Sequence, residues 1–305
     1  MQLPPLLAAI GHTPLLELAV IRAAAPRTRL FAKLEGVNPG GSIKDRPVAR
    51  MLRGALAAGQ LAGGRRLLDS SSGNAGISYA MLGAALGVPV TLVVPGNASA
   101  ERMDRIRACG AELVVTDPLE GYDFALREAR RLAAAQPDRY WYCDQYSNPD
   151  NWRAHYEDTA GELLAQLAPL IDGAPDALVA GVGTGGTLTG VGRRLKEVRR
   201  DTLVVAAIPD TFPGIEGLKP LGAPGDIVPA ILDESLIDER VAVSLDDAIA
   251  MCRRLAREGV FVGPSSGAFV HVACELAARR KLASIVTVLP DSGERYVSTG
   301  MWRAA

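Results

Sequence analysis

The chain has 305 residues, enough for two ordinary domains, and its 33 basic and 34 acidic side chains give a formal net charge of −1. It contains no basic stripe with interleaved aromatic residues, which argues against nucleic acid as a partner, and no run of about 18 apolar residues that would predict a membrane span. The four cysteines are widely spaced without a C-x-x-C pair and there are only three histidines, which predicts reduced thiols and no metal site. No basic segment precedes an apolar N-terminal stretch, so we expect a cytoplasmic protein.

In chain order, apolar runs of strand character alternate with segments of helical periodicity. After a turn that enters a strand at 11–18, the first series consists of strands at 30–34, 65–68, 89–94, 112–115 and 140–142 and helices at 48–56, 76–86, 101–109 and 122–135. The second series consists of strands at 177–180, 202–208, 241–243, 260–262 and 285–289 and helices at 152–167, 186–198, 245–258 and 267–280. Residues 211–236, rich in proline and glycine, predict a long loop that borders a site.

Alternation of strands and helices is typical of parallel sheets. We therefore predict an α/β protein with two domains, each built on a mostly parallel twisted sheet, and an active site in the cleft between them. The smaller domain is expected to span residues 45–147, and the larger domain to combine residues 1–44 with 148–305.

The segment 38–47, N-P-G-G-S-I-K-D-R-P, joins the strand at 30–34 to the helix at 48–56 and places Lys44 at the helix start. Asp45 is predicted as the N-cap, because that position brings Pro47 into the first turn, where no N–H is needed. A lysine there is usually a surface charge. The glycine-rich turn favours a functional amine instead, since it lets a ligand approach the backbone and the helix start favours the neutral, nucleophilic form.

Two further loops follow predicted strands, at the ends where open α/β sheets bind ligands. Residues 70–76, S-S-S-G-N-A-G, form either an ordinary helix cap or a site whose N–H groups bind a carboxylate or phosphate. Residues 181–187, G-V-G-T-G-G-T, have the form of a phosphate cup. Their glycines also match the G-x-G-x-x-G spacing of dinucleotide folds, with Asp210 after the next strand, so a nicotinamide oxidoreductase stays open.

A third loop, residues 263–267, G-P-S-S-G, imitates the nucleophile elbow of hydrolases. We exclude a serine hydrolase, because the only histidine after Ser265 is His271, a few residues further along the helix, and no histidine follows the candidate acid Asp291. Taken together, a lysine amine, a phosphate cup, a serine and asparagine loop, and a serine at a helix start predict pyridoxal phosphate as cofactor. Its aldehyde, phosphate, 3′ oxygen and ring nitrogen each need a partner.

The chain resembles the cysteine synthase family, pyridoxal-phosphate enzymes of fold type II, which are tryptophan synthase β-like. The resemblance rests on residues 11–15 (G-H-T-P-L, with His12 for the family's Asn), 38–46 (N-P-G-G-S-I-K-D-R), 71–76 (S-S-G-N-A-G), 145–149 (Q-Y-S-N-P), 183–187 (G-T-G-G-T) and 293–299 (G-E-R-Y-V-S-T). It implies that Lys44 forms the Schiff base with the cofactor. The cofactor-binding residues would further be Asn74 at the 3′ oxygen, Gly183, Thr184, Gly185, Gly186 and Thr187 at the phosphate, and Ser265 at the ring nitrogen. The substrate carboxylate would be bound by Ser71, Ser72, Gly73 and Gln145.

The resemblance implies a homodimer that makes L-cysteine by β-replacement. The small-molecule substrates would be an O-activated L-serine, either O-acetylserine or O-phosphoserine, and sulfide or another sulfur donor, with an aminoacrylate intermediate. Lys44 would remove and return the α-proton. Ser265 suits this reaction better than transamination, because a neutral hydroxyl does not keep the ring nitrogen protonated. Alternatives are cystathionine or 2,3-diaminopropionate synthesis, or a catalytically idle member, which the retention of Lys44, Asn74 and Ser265 argues against.

Two departures from the family pattern affect the substrate. Ala75 replaces the usual threonine, which removes one hydroxyl donor to the carboxylate, so we expect a raised KM for the amino-acid substrate. The segment 212–219, F-P-G-I-E-G-L-K, is where we expect the β-substituent or sulfur donor to be recognised. With Glu216 and Lys219 both present, the sequence leaves O-acetylserine and O-phosphoserine open.

Overall fold

The computed structural model describes residues 4–210, 214–221 and 227–303. Within these residues the strands are β1 Leu15–Glu17, β2 Arg29–Leu34, β3 Arg66–Ser70, β4 Val90–Pro95, β5 Glu112–Thr116, β6 Tyr140–Tyr142, β7 Ala177–Gly181, β8 Leu203–Pro209, β9 Glu239–Val243 and β10 Ser284–Leu289. The α-helices are α1 Pro5–Ala8, α2 Asp45–Ala57, α3 Asn74–Leu86, α4 Ala100–Ala108, α5 Gly121–Ala135, α6 Pro149–Ala154, α7 Ala160–Leu167, α8 Gly186–Val198, α9 Leu245–Arg257 and α10 Pro264–Arg279. A π-helical turn, His155–Thr159, joins α6 to α7, and short 3₁₀ turns lie at Ala19–Ala23, Glu35–Val37, Ala62–Gly64, Glu234–Leu236 and Gly293–Tyr296.

The chain divides into two compact units. The smaller unit comprises the chain up to Ile10 together with Lys44–Asn151, and the larger unit comprises Gly11–Ile43 and the chain from Trp152 onward. The sequence-based boundaries assigned the N-terminal residues to the larger domain. They group with the smaller unit because α1 places Leu7 in that unit's hydrophobic core.

The smaller unit is built on a four-stranded parallel sheet with the order β5-β4-β3-β6. Every residue of β4 is buried, as expected for a parallel strand covered on both faces. Successive side chains point to opposite faces, so Leu67 packs with α2 and α3 whereas Leu68 packs with α5. Helices therefore cover this sheet on both sides, and its loops at the strand ends stay accessible.

The larger unit is built on a six-stranded sheet with the order β1-β2-β10-β7-β8-β9. Only the edge pair β1–β2 is antiparallel within this sheet, and the other pairs are parallel. Helices α9 and α10 pack on one face around Ile285, and α7 and α8 pack on the other face around Val286. The predicted α/β class with mostly parallel sheets is confirmed.

Three local predictions are corrected. The predicted strand at 260–262 is wrong, because Val262 makes only an isolated bridge to Ser292. Helix α10 starts earlier than predicted, with Pro264 in its first position, where the missing N–H costs nothing. The predicted helix at 152–167 contains the π turn. In the predicted loop 211–236, the described residues form neither a strand nor an α-helix, and residues 211–213 and 222–226 lie outside the described part of the chain.

The part of the chain that the structure describes holds no helix that is both long and apolar enough to cross a bilayer.

The π turn lies directly against α8 at Gly190. A Cβ atom at that position would come within 2.3 Å of the Trp152 carbonyl oxygen and 2.7 Å of the Tyr156 nitrogen. Both are backbone atoms, which cannot move aside as a flexible side chain can. The close approach of α8 to the π turn therefore requires a residue without a side chain at position 190.

We expect Gly190→Ala to destabilise the larger unit by about 2–3 kcal/mol, at the upper end of overpacking costs, because the clash is with backbone. Scanning calorimetry should show a transition lowered by about 4–12 °C, since each kcal/mol shifts Tm by about 2–4 °C in a unit of this size. The matched control is Gly161→Ala on α7, where a Cβ meets nothing within 4 Å. That change should raise stability by up to about 1 kcal/mol through helix propensity. An unchanged transition for Gly190→Ala would contradict the packing argument.

Candidate active site

Lys44 is the N-cap residue of α2, with φ −69° and ψ −18°. The first helical hydrogen bond runs from the Val48 nitrogen to the Lys44 carbonyl oxygen at 3.2 Å, so Pro47 interrupts no bond. The prediction of Asp45 as N-cap is wrong. Its carboxylate is fully buried and accepts a hydrogen bond from Ser78 Oγ at 2.5 Å. Lys44 thus lies at the helix start, half-buried, as the sequence indicates.

The hydroxyl of Ser78 connects this helix start to α3. Besides donating to Asp45, Ser78 Oγ lies 3.0 Å from the Asn74 carbonyl oxygen. Asn74 is the first residue of α3 and follows Gly73, the N-cap. In the smaller unit, Ser78 therefore connects Asp45, the residue after Lys44, to the backbone of Asn74.

In the larger unit, the turn that leads to Lys44 is held by the side chain of Asn38. Its Oδ1 accepts a hydrogen bond from the Gly11 nitrogen at 2.9 Å, and its Nδ2 donates to the carbonyl oxygen and to Oε2 of Glu35, both at 2.8 Å. At the other end of the turn, the Ile43 nitrogen donates to the Pro290 carbonyl oxygen at 2.8 Å. The turn is thus fixed at both ends.

Glu35 belongs to a buried polar network around Lys33. Glu35 Oε1 accepts from Thr13 Oγ1 at 2.7 Å, and the Thr13 carbonyl oxygen accepts from Lys33 Nζ at 3.0 Å. Lys33, which is fully buried, forms an ion pair with Glu162 at 2.8 Å and donates to Gln166 Oε1 at 2.9 Å. Lys33 is therefore structural, and its network holds Glu35, which in turn binds the side chain of Asn38.

The loop after β3 leads into α3 without a side-chain cap. Ser71 Oγ accepts from the Gly76 nitrogen at 3.1 Å, so its own hydroxyl hydrogen can point to a ligand. The N–H groups of Asn74 and Ala75 precede the first helical bond and need an acceptor from outside the helix. Ser72, Gly73 and Asn74 are half-buried, so this first turn is accessible. Its form suits a bound carboxylate.

Gln145 lies beside this loop, because β6 and β3 are parallel neighbours and their carboxyl ends meet at one sheet edge. Its Nε2 donates to the Ser70 carbonyl oxygen at 3.1 Å, and its backbone nitrogen donates to Asp69 Oδ2 at 3.2 Å. An amide nitrogen carries two hydrogens, so the second can serve a ligand. The structure thus places Gln145 against Ser70, the residue that precedes the loop 71–74.

In the larger unit, the loop after β7 enters α8 through Gly185, the N-cap, with φ +84°. The helix has no side-chain cap, and its first bond runs from the Thr189 nitrogen to the Gly185 oxygen at 2.9 Å. A Cβ at Gly183 would lie 2.6 Å from the Gly217 carbonyl oxygen. Residues 183–187 therefore form a mostly buried turn, or cradle, at a helix start, with glycine required at positions 183 and 185, which fits a phosphate group.

His155, which the sequence analysis did not assign to the site, contacts this loop. It is almost fully buried, at 1% exposure, in the π turn. Its Nδ1 lies 3.0 Å from Thr159 Oγ1, and its Nε2 lies 3.4 Å from Thr187 Oγ1. The imidazole therefore orients the Thr187 hydroxyl. The residue spacing in the sequence does not predict the contact between His155 and Thr187, because this contact joins two helical segments and depends on the π turn.

Ser265 occupies the second position of α10 and is 6% exposed. The N-cap of this helix, Gly263, donates from its nitrogen to the Asp291 carbonyl oxygen at 3.3 Å. The carboxylate of Asp291 is buried and accepts from the Tyr296 hydroxyl at 2.8 Å. The hydroxyl of Ser265 thus lies in a helix start fixed to the loop after β10.

Each unit, taken by itself, offers groups of a kind that pyridoxal phosphate needs. The smaller unit supplies a half-buried amine and an uncapped helix start lined with small polar residues. The larger unit supplies the glycine cradle and a serine hydroxyl at a helix start.

Comparison with known proteins shows the same cofactor class. A family profile described as pyridoxal-phosphate dependent enzyme matches residues 6–291. The chain is 43% identical to cysteine synthase from Aquifex aeolicus, over 96% of this chain and 90% of that protein. It is 38% identical to cysteine synthase A from Escherichia coli strain K12, over 96% and 93% of the two chains.

Two solved structures show the same fold. The crystal structure of O-ureido-L-serine synthase has a TM-score of 0.89 and 36% identity, and covers 98% of this chain and 95% of that chain. That of O-acetylserine sulfhydrylase isoform 3 from Entamoeba histolytica has a TM-score of 0.88 and 33% identity, and covers 98% and 91%.

We expect Gly183→Ala to weaken binding of pyridoxal phosphate by at least about tenfold, which is a loss of about 1.4 kcal/mol or more of binding free energy. The reason is that the added Cβ must displace the Gly217 backbone and so distort the cradle. Titration of the cofactor into apoprotein, followed by absorbance, measures this affinity. Gly161→Ala adds the same methyl group in open space on the same unit and should leave the affinity unchanged. Equal affinities for all three proteins would contradict the assignment of the phosphate cradle.

Proposed function

We propose that this chain, which belongs to the pyridoxal-phosphate dependent enzymes and within them to the cysteine synthases, binds its cofactor through the amine of Lys44. The enzyme carries out pyridoxal-phosphate dependent synthesis of cysteine. The observation that carries the proposal is the position of Lys44 as N-cap of α2, at the end of the Asn38 turn. The following residue, Asp45, is connected to Asn74 through Ser78.

Bound pyridoxal phosphate supplies an aldehyde for the amine and an electron-withdrawing ring, which lowers the cost of removing the α-proton and expelling the β-substituent. We assign Lys44 Nζ as the base that takes the α-proton from the substrate and later returns it. A lysine at a helix start suits this role, because the positive end of the helix dipole favours the neutral amine.

We assign Ser265 to the ring nitrogen and residues 183–187 to the phosphate. Two features support Ser265. A hydroxyl can donate a hydrogen bond to a neutral ring nitrogen, and the first turn of α10 is electropositive, which disfavours a protonated ring. A less electron-withdrawing ring suits β-replacement, in which the leaving group takes the charge. His155 would then orient Thr187 at the phosphate.

We assign the substrate carboxylate to Ser71, Ser72, Gly73 and Gln145, and the 3′ oxygen of the cofactor to Asn74. The support is the uncapped start of α3 and the amide of Gln145 at the same sheet edge. Hydroxyls, backbone N–H groups and an amide together offer a carboxylate donors without placing a fixed positive charge next to the amine that must react.

The identity of the activated serine can be decided by supplying O-acetylserine and O-phosphoserine separately with sulfide and comparing kcat/KM. Residues 212–213 of the segment proposed to recognise the leaving group lie outside the described residues. Lys219 is the cation that a phosphate leaving group would require, and its backbone nitrogen donates to the Val182 oxygen at 2.7 Å. Mass spectrometry of the product distinguishes cysteine from cystathionine, 2,3-diaminopropionate or O-ureido-L-serine.

We further propose a homodimer in the cytoplasm. The likeness to cysteine synthases supports the dimer, and light scattering should give twice the chain mass of 32.1 kDa. The cysteines Cys109, Cys143, Cys252 and Cys274 are all free thiols, which supports a reducing compartment.

We expect Lys44→Ala to abolish the visible absorption band of the purified protein and cysteine formation, because both need the amine. Absorbance spectra and a coupled assay measure the two effects. Lys281→Ala, which removes an exposed lysine amine elsewhere on the chain, should change neither. A variant that lacks Lys44 and keeps the band would refute the assignment of the covalent site.

We expect Ala75→Thr to lower KM for the amino-acid substrate by about 10- to 100-fold, because it adds a hydroxyl that can donate to the carboxylate, worth about 1.5–3 kcal/mol. Ala75 is 4% exposed and packs in the core of the smaller unit, so the added atoms also need space. Ala75→Val separates the two effects, since valine has the shape of threonine without its hydroxyl. The account fails if both variants change KM equally or if neither does.

A further inference from the structure

Ser70, the last residue of β3, has both its backbone N–H group and its backbone carbonyl group hydrogen-bonded. Its nitrogen donates to Asp69 Oδ1 at 2.7 Å. Its carbonyl oxygen accepts from the Tyr122 hydroxyl at 2.7 Å and from Gln145 Nε2 at 3.1 Å. Because Ser71 follows directly, the orientation of the Ser70 peptide sets where the loop 71–74 begins.

Asp69 holds Gln145 as well as Ser70. It is fully buried, and its Oδ2 accepts from the Gln145 nitrogen at 3.2 Å and from the Tyr79 hydroxyl at 2.7 Å. Gln145 is therefore bound twice, through its backbone to Asp69 and through its side chain to Ser70. The loop 71–74 and Gln145, which are proposed to bind the substrate carboxylate, are therefore both anchored to Asp69, the loop through Ser70.

Tyr122, on α5, also binds Ser70. It lies in the first turn of that helix, and its ring centroid is 6.5 Å from that of Tyr146, the neighbour of Gln145. Burial raises the pKa of Tyr122 to about 12, so it stays a neutral donor throughout the pH range of an assay. No step assigned to the reaction uses this hydroxyl, yet it points at the peptide that begins the substrate loop.

We propose that Tyr122 and Asp69 are positioning residues: by fixing Ser70 and Gln145, they hold the loop 71–74 in the geometry that binds the substrate carboxylate. The inference rests on the proposed role of that loop. A purely structural role for the two residues predicts a different result, namely a loss of stability without a change in substrate affinity.

Tyr122→Phe removes the hydroxyl and keeps the ring. It should raise KM for the activated serine by about three- to tenfold, the size expected for one hydrogen bond. The turnover number, KM for sulfide and the visible cofactor band should stay unchanged. Hydrogen exchange provides a readout independent of activity, because backbone amides of residues 70–77 should exchange faster in this variant. The control is Tyr156→Phe, whose hydroxyl binds Glu197 in the larger unit and should leave all these quantities unchanged.

Asp69→Asn tests the other side of Ser70. An amide nitrogen in place of Oδ2 would face the N–H of Gln145, so KM should rise in the same direction; if this variant does not fold, Tyr122→Phe alone decides. Unchanged KM and unchanged exchange at residues 70–77 in Tyr122→Phe would overturn the inference, and so would an equal rise of KM in Tyr156→Phe. Failure of the wild-type protein to make cysteine would instead refute the proposed function, while the exchange comparison would still test whether Tyr122 fixes the loop.

Discussion

Four of the loops and helix starts in the proposed site are held by a buried carboxylate that accepts a hydrogen bond from a hydroxyl group. Loops at strand ends cannot satisfy their backbone through a sheet or a helix, so side chains must fix them. A carboxylate suits this role, because it accepts several hydrogen bonds at once. The pairs are Glu35 with Thr13 beside the Asn38 turn, Asp45 with Ser78 after Lys44, Asp69 with Tyr79 before the substrate loop, and Asp291 with Tyr296 at the start of α10.

Glycine N-caps are the second shared feature. Helices α3, α8 and α10 start after Gly73, Gly185 and Gly263, and none has a side-chain cap. Helices α4 and α5 are also uncapped, so the missing cap alone does not mark a binding site. The difference is the glycine, which removes the side chain that would otherwise cover the first-turn N–H groups. An anionic ligand can then approach the helix start, where the positive end of the helix dipole attracts it.

The sequence predicts those parts of the site that depend on local pattern. The position of Lys44 at a helix start could be predicted, because a glycine-rich turn and a following proline fix a helix start within ten residues. Strand and helix alternation likewise predicts the two mostly parallel sheets. Contacts between distant residues leave no such pattern: Tyr122 meets Ser70 across 52 positions, and His155 meets Thr187 across 32. The N-cap at Asp45 was mispredicted for the same reason, since its carboxylate is engaged by Ser78, 33 positions away.

The buried carboxylates are better explained by geometry than by stability. Placing a carboxylate in the interior carries a desolvation cost that its hydrogen bonds only partly offset, and apolar replacements of such groups are often as stable or more so. Asp69 shows the cost directly, because burial raises its pKa from 3.8 to about 7 although the Tyr79 hydroxyl and two backbone N–H groups lower it. An apolar residue at position 69 would avoid that cost, but it would leave the nitrogens of Ser70 and Gln145 without their acceptor. The chain thus retains a group that is unfavourable for folding but that fixes two peptides beside the proposed substrate loop.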